Sequence, residues 1–595
     1  MRRDARPERR IQPPMGTGRK LRILVLLLVV AFGVYLFLRQ FSAPPPVAVE
    51  TGSTLVVEVG GSYLEAPSAS PLARLAGDAT RPFIGLLSVF ALAERDERVE
   101  KVVVRIQPLQ IGWGKADEIR DAITRLRERG AHTVAFLEVQ SFSANKELYV
   151  ASAADEIFVA PGSGIPLVGM AAEYLFLGGF MEKLGIQFEV ARAGRYKSAV
   201  ETFSERTMSP ASREMADALL DDAYERFVDA LASGRGQSRE AILEAIDGGT
   251  VRSQRLEALG LIDGELHLDG LLERLGGPVV RHADYANLPP ESIGFEARAE
   301  FALIYGTGAV VQGGDDGSAF RSSPVFASET ISRALVDAAE DPRISAIVLR
   351  IDSPGGSALA SELIWRAIGR AKAKGKPVIA SFSDVAASGG YYVASAADAI
   401  VADPGSLTGS IGVFALRPTI GGLLEKLEIG IDSLTRGRHA DFLLSSERLS
   451  PAAMARLETS VLDTYQLFLT RVADGRGLSV AEVDAIGQGR VWTGRQAKEI
   501  GLVDELGGLH AAVRRAKTSV GLEPTDDVFL IPFPKQRSLS EQLIEAFQLT
   551  AARVGGAGID WHAGLPGPLR ELAVRAGDLP IGTPLLIPPA IIDIR

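Results

Sequence analysis

The chain repeats itself, and the spacing of the repeat limits what it can fold into. Tyr149-Val150-Ala151-Ser152-Ala153-Ala154-Asp155 recurs as Tyr392-Val393-Ala394-Ser395-Ala396-Ala397-Asp398, 243 residues on. Pro161-Gly162-Ser163 and Gly194-Arg195 recur at the same offset as Pro404-Gly405-Ser406 and Gly437-Arg438. Met208-Ser209-Pro210 returns as Leu449-Ser450-Pro451 and Gly260-Leu261-Ile262-Asp263 as Gly501-Leu502-Val503-Asp504, both after 241 residues. Val104-Arg105-Ile106 returns as Leu349-Arg350-Ile351 after 245. So long a period marks a duplicated domain rather than a solenoid.

Inside each copy, short apolar runs alternate with helical patterns. Val102 to Ile106, Lys115 to Arg129 and Thr133 to Val139 read as strand, helix, strand, and so do Ala346 to Ile351, Ala360 to Lys374 and Val378 to Phe382. Continuous apolar strands between amphipathic helices predict βαβ crossovers, hence an α/β fold with a buried parallel sheet in each copy. Two further helices are expected near Ala211 to Ala232 and Pro451 to Ala473, each opened by a Ser-Pro pair suited to the N-cap and first helical positions. The copies are expected at residues 54–285 and 300–520.

The 595 residues include no cysteine, which excludes disulfides, thiolate metal sites and a cysteine nucleophile. The six histidines have no metal-ligand spacing, which speaks against a zinc hydrolase, and no cofactor is expected. The formal net charge is -10, yet residues 1–22 carry eight basic side chains against two acidic ones. The body is therefore strongly acidic, which argues against a nucleic-acid partner.

That basic tail (1–22) runs into a predicted transmembrane signal anchor at residues 23–41. Ile23 to Leu38 carries no charge, Leu21 and Phe41 extend the apolar run, and a helix of this length spans about 24 Å. A cleaved signal peptide is the alternative, but Ser42-Ala43 leads straight into Pro44-Pro45-Pro46, a poor context for cleavage. Arginine and lysine concentrated before the span predict a cytoplasmic N-terminus and an extracytoplasmic body beyond a linker at 42–53. After Gly521 comes a tail (521–595) with a capping-box pattern, Ser538-Leu539-Ser540-Glu541, and an apolar end, Pro584 to Ile594. It offers no chemistry and is expected to dock on the body or on a neighbouring subunit.

Ala387-Ser388-Gly389-Gly390-Tyr391-Tyr392 and Asp352-Ser353-Pro354-Gly355-Gly356 are the candidate chemistry. Each follows an apolar strand-like run. Ser388 could be a plain N-cap, and the glycines could merely allow close packing. The functional alternative is a nucleophile at a helix start, with amides of Gly356 and Gly389 as oxyanion donors. The first copy has Asn145 where the second has Ser388, so packing alone does not require serine there.

A serine nucleophile needs a base. His439 is the best histidine candidate; its neighbour Ala440 aligns with Lys197 of the first copy. One copy thus keeps a serine without the lysine and the other a lysine without the serine. Although a lone lysine is usually a solvated charge, this complementary loss is explained if Lys197 reaches Ser388 across the interface between copies. To act as general base its pKa must fall well below about 10.4 through burial. Crotonase-type acyl-CoA chemistry and a non-catalytic membrane scaffold remain the alternatives.

Gly194-Arg195-Tyr196-Lys197-Ser198-Ala199-Val200-Glu201, together with the Asp352 to Gly356 and Ala387 to Tyr392 segments, resembles the signal peptide peptidase A (protease IV) family in its long, duplicated form. The resemblance covers about residues 20–520. It implies a tandem ClpP/crotonase-like fold, a Ser388/Lys197 dyad, and oxyanion donors at Gly356 and Gly389. It also implies a serine endopeptidase assembled as a homotetramer on the bilayer of the bacterial inner membrane, its body periplasmic, cutting remnant signal peptides.

Overall fold

Each copy builds its sheet from the apolar runs that the sequence repeats. The computed structural model describes residues 48–66, 81–249, 252–314, 324–437 and 439–534, with 32, 35 and 585–586 besides. Most of the expected anchor and most of the C-terminal tail lie outside these residues. Among the described residues no helix is long and apolar enough to cross a membrane.

The first sheet has six parallel strands in the order Gly264–Glu265, Glu156–Val159, His132–Leu137, Val99–Leu109, Ser53–Gly61, Val279–Arg281. The second repeats this order with Glu505–Leu506, Ala399–Ala402, Val378–Ala387, Ile344–Ser353, Ala297–Thr307 and Asp527–Phe533. Helices Trp113–Glu128 and Ala358–Ala373 are the matching crossovers. The last strand of the second sheet lies beyond Gly521, where the sequence closes the second copy. Residues up to Phe533 thus belong to that copy's sheet rather than to a separate tail.

The recurring aspartates explain why those motifs repeat. Asp155 and Asp398 accept the amide protons of Thr133 and Val378, at 2.9 and 2.8 Å. Asp263 and Asp504 accept those of Ile157 and Ile400, both at 2.7 Å. Each carboxylate closes the exposed start of an inner strand, satisfying a donor the ladder leaves open. The Ser-Pro pairs cap as expected: Ser209 and Ser450 accept from the amides of Ser212 and Ala453, opening helices Pro210–Arg235 and Pro451–Arg476.

The copies are joined in two ways. A third sheet crosses between them, because Gln187–Ala193 of the first copy pairs antiparallel with all of Val413–Thr419 of the second. The second joint is a buried ionic cluster. Lys115, on the first copy's crossover helix, reaches Asp352 at 2.7 Å, Asp384 at 2.8 Å and Glu65 at 3.1 Å. Arg350, completely buried, pairs with Glu65 and Glu118 and donates to Ser381 Oγ and the Phe382 carbonyl. Burial works against the charge on Lys115, but the three carboxylates hold its pKa well above the ordinary lysine value.

Asp352 stands four residues before Gly356, and Asp384 four before Ser388. Lys115 therefore ties both candidate segments to the first copy. Replacing it, as Lys115→Met, strands buried carboxylates, and denaturant unfolding at pH 7 should register a loss of about 3–5 kcal/mol. A loss below about 1 kcal/mol, as for a surface pair, would contradict this role.

Candidate active site

The strand Val378–Ala387 runs five residues past Phe382, where the sequence pattern ends it, and delivers the chain directly to Ser388. Ser388 donates its amide proton to the Gly409 carbonyl at 2.8 Å, and its own carbonyl accepts from Tyr392 to begin the helix Gly389–Ala394. Its backbone lies at φ 54°, ψ -112°, a region that a residue with a Cβ rarely occupies. It occupies the N-cap position, yet its hydroxyl caps nothing. The side chain points instead into the joint between the copies.

There it meets Lys197. The Nζ of Lys197 is 2.7 Å from Ser388 Oγ, 2.9 Å from the Ser410 carbonyl and 2.9 Å from Ser410 Oγ. All three residues are fully buried. The backbone explains how lysine arrives. After the paired strand Gln187–Ala193 the chain turns at Gly194, and the Tyr196 amide donates to the Gln488 carbonyl at 2.8 Å. Gly489 sits so close to this turn that a Cβ on it would fall 2.5 Å from the Lys197 nitrogen. Arg490, next in line, accepts from the Ser410 amide at 2.7 Å. One short turn of the second copy thus fixes both lysine and Ser410.

Chain neighbours on either side of Lys197 are held in apolar packing. Tyr196 packs with Met215, Leu219 and Val491, and Val200 packs with Phe414, Val190 and Leu416. Burial drives the Lys197 pKa well below the ordinary lysine value, and among the described residues no carboxylate opposes it. A neutral amine has two protons and one lone pair. The Ser410 carbonyl can only accept, so it takes one proton, and Ser410 Oγ is placed to take the other. The lone pair is left for the Ser388 hydroxyl.

The two glycine motifs also meet. A Cβ on Gly389 would lie 2.7 Å from Ser361 Oγ, 3.0 Å from the Gly356 nitrogen and 3.2 Å from Gly355 Cα. Only glycine fits at that contact, and it sets the Gly356 amide beside the residue following Ser388. Asn145, the first copy's counterpart of Ser388, is buried at the start of helix Asn145–Ala151. The Ser388 hydroxyl engages Lys197; His439 immediately precedes the short turn Ala440–Leu443.

Ser410 is the contact that the sequence reading overlooks. Its signal was the same asymmetry that singles out Ser388: at an offset of 243, Leu167 stands in its place. Among the described residues no cluster of His, Asp and Glu could hold a metal ion.

Comparison with known proteins agrees with the duplication. The pattern of Peptidase family S49 matches twice, over residues 133–276 and 370–523. A chloroplastic serine protease SPPA from Arabidopsis thaliana is 34% identical over 500 residues, covering 82% of this chain and 72% of that one. Protease 4 of Haemophilus influenzae is 31% identical over 462 residues, covering 73% of this chain and 72% of that one. Among solved structures, ClpP1 from Listeria monocytogenes matches with a TM-score of 0.22 and 15% identity, over 35% of this chain and 91% of that one. With two matched copies of one pattern and relatives above 30% identity over most of both chains, this protein belongs to Peptidase family S49 and is a serine protease.

Proposed function

We propose that this protease uses Ser388 as nucleophile and Lys197 as general base, each supplied by a different copy of the duplicated unit. The observation that carries this reading is an amine, buried with no counter-charge among the described residues, 2.7 Å from a serine hydroxyl in a strained backbone conformation. Lys197 takes the hydroxyl proton as Ser388 Oγ attacks a peptide carbonyl, and returns it to the leaving amine. The amides of Gly356 and Gly389 stabilise the oxyanion, each contributing about 3 kcal/mol. Ser410 holds two of the three directions around the amine, so that its lone pair stays aimed at serine.

We read the repeats as ClpP/crotonase-like units of a membrane-anchored endopeptidase that degrades remnant signal peptides and assembles as a homotetramer. The basic segment and charge-free run at the N-terminus support the anchor and a periplasmic body. Exposed apolar side chains support an apolar substrate or membrane setting. Leu427, Ile429, Ile431, Leu434 and Leu443 of the second copy are all solvent-facing, Leu434 at 91%, while Leu175 and Phe180 are so in the first. Their elements abut where Lys426 donates to the Lys183 carbonyl. A crotonase-type acyl-CoA reaction has no comparable use for a neutral lysine beside serine.

Hydrolysis of an apolar reporter peptide tests the dyad. Ser388→Ala and Lys197→Ala should each lower kcat by about a thousandfold or more, with circular dichroism unchanged. Retention of more than about a tenth of the activity by either variant would refute it. Ser410→Ala should lower kcat by about 10- to 100-fold with little change in KM, as expected for loss of an orienting partner. A pure KM effect would instead make Ser410 a binding residue.

A further inference from the structure

Beside the dyad runs a second chain of contacts between the copies, one that the proposed reaction does not use. Arg490 of the second copy donates through Nη1 to Tyr196 Oη of the first at 3.0 Å and to Glu214 Oε1 at 2.6 Å. Its guanidinium carbon stands 4.9 Å from the centroid of the Tyr196 ring and 4.6 Å from that of Trp492. Tyr196 gives its own hydroxyl proton to Glu214 Oε1 at 2.9 Å and accepts from Arg195 as well as from Arg490. The single proton and both lone pairs of the phenol are therefore engaged. A side chain only 3% exposed is thus fixed at its tip.

Both ends of this chain reach the dyad. At one end Lys197 follows Tyr196 directly, its Cα about 3.8 Å along the backbone. At the other end Trp492 lies against Gly409, where a Cβ would come within 2.8 Å of Trp492 Cδ1. The Gly409 carbonyl is the group that accepts the Ser388 amide proton. Between the two, the Arg490 carbonyl holds the Ser410 amide at 2.7 Å. Arg490 is linked in this way to the backbone that carries each of Lys197, Ser388 and Ser410.

The duplication shows that ordinary packing does not call for these residues. At the offsets that align the surrounding motifs, His439 stands for Tyr196 and Ala455 for Glu214 in the second copy, while Gly249 and Val251 of the first stand for Arg490 and Trp492. Arg195 alone is kept, as Arg438. Four members therefore occur once, at the joint where Ser388 and Lys197 also occur once. Stability is not a sufficient reason for them either. The Glu214 side chain is 55% exposed, and ion pairs so open to water contribute little to folding.

We propose that Arg490 is a positioning residue for the dyad: held between Tyr196 and Trp492 and anchored on Glu214, its side chain sets the separation of Lys197 Nζ from Ser388 Oγ. The proposal rests on the dyad reading and adds to it a residue that touches neither reacting atom. Misplacing reacting groups by about 1 Å can cost about 100-fold in rate, so a slight slackening of this brace is enough to show in kcat.

The test uses the full-length enzyme carrying Arg490→Ala, Tyr196→Phe, or both. Labelling with a fluorophosphonate to completion counts the intact Ser388 sites, which separates slow chemistry from lost protein. Arg490→Ala should lower kcat for a reporter peptide by about 10- to 100-fold and leave KM within about twofold, because the brace orients the base and binds no substrate. Tyr196→Phe removes the phenol oxygen but keeps the ring, and should cost about 3- to 10-fold in kcat. Since Arg490 acts through Tyr196, the losses should not multiply, and the double variant should stay within about twofold of Arg490→Ala. Losses that multiply, a change confined to KM, or an Arg490→Ala kcat within about twofold of the parent enzyme overturns the proposal. If Arg490→Ala yields few intact sites, Tyr196→Phe decides alone: a kcat loss at unchanged KM supports the brace, and a parent-like kcat overturns it. Failure of the dyad reading shows separately, as hydrolysis that survives Lys197→Ala.

Discussion

The antiparallel pairing of Gln187–Ala193 with Val413–Thr419 is the constraint on which the site depends. Its last pair sets Ala193 opposite Val413. Lys197 follows four residues after the one, and Ser410 precedes the other by three. Slipping this register by one residue would turn every side chain of the strand to the other face, and the backbone that carries lysine to Ser388 would start from the wrong place. Gly489, pressed against the Lys197 backbone, and the Arg490 carbonyl that holds Ser410 then leave the two residues little freedom. A site built this way cannot form within one copy.

The first copy sends two buried lysines into the second, and their surroundings shift their pKa values in opposite directions. Lys115 is ringed by Asp352, Asp384 and Glu65 and remains an ammonium despite burial. Among the described residues the Lys197 amine meets two hydroxyls and a carbonyl, and burial drives it toward the neutral amine. In the proposed mechanism, charge and neutrality suit their tasks. The ammonium ties the strands that lead to Gly356 and Ser388, while the amine has a lone pair to offer. Exchanging these environments would ruin both, since an ammonium beside Ser388 has no lone pair for its proton and a neutral Lys115 would leave three carboxylates uncompensated.

Much of this was legible in the sequence because duplication supplies an internal control. Residues common to both copies, such as Asp155 and Asp398, do the same structural task twice. Residues that differ, Ser388 against Asn145 and Lys197 against Ala440, stand out, and the structure brings the two odd ones into contact. Ser410 carried the same signal in its pairing with Leu167 but sits in no recognisable motif. Lys115 read only as the start of a helix, because its partners Asp352 and Asp384 come from strands more than 200 residues away in the chain. The strand Asp527–Phe533 was missed because the matching motifs end at Asp504 and Pro532 weakens its strand pattern. It is an edge strand, where proline is tolerated.

The central claim is that a neutral Lys197 activates Ser388, and its protonation state is open to direct measurement. The second-order rate of Ser388 phosphonylation by an uncharged fluorophosphonate, in which the serine oxygen displaces fluoride from phosphorus, reports the free-enzyme base when followed across pH. Because the amine must be unprotonated to act, the rate should rise with pH through a single ionisation and level off well below the ordinary lysine pKa of 10.5. The same titration on Lys197→Ala should show no such step. A rate that keeps climbing to about pH 10, or an identical profile without the lysine, would contradict the account.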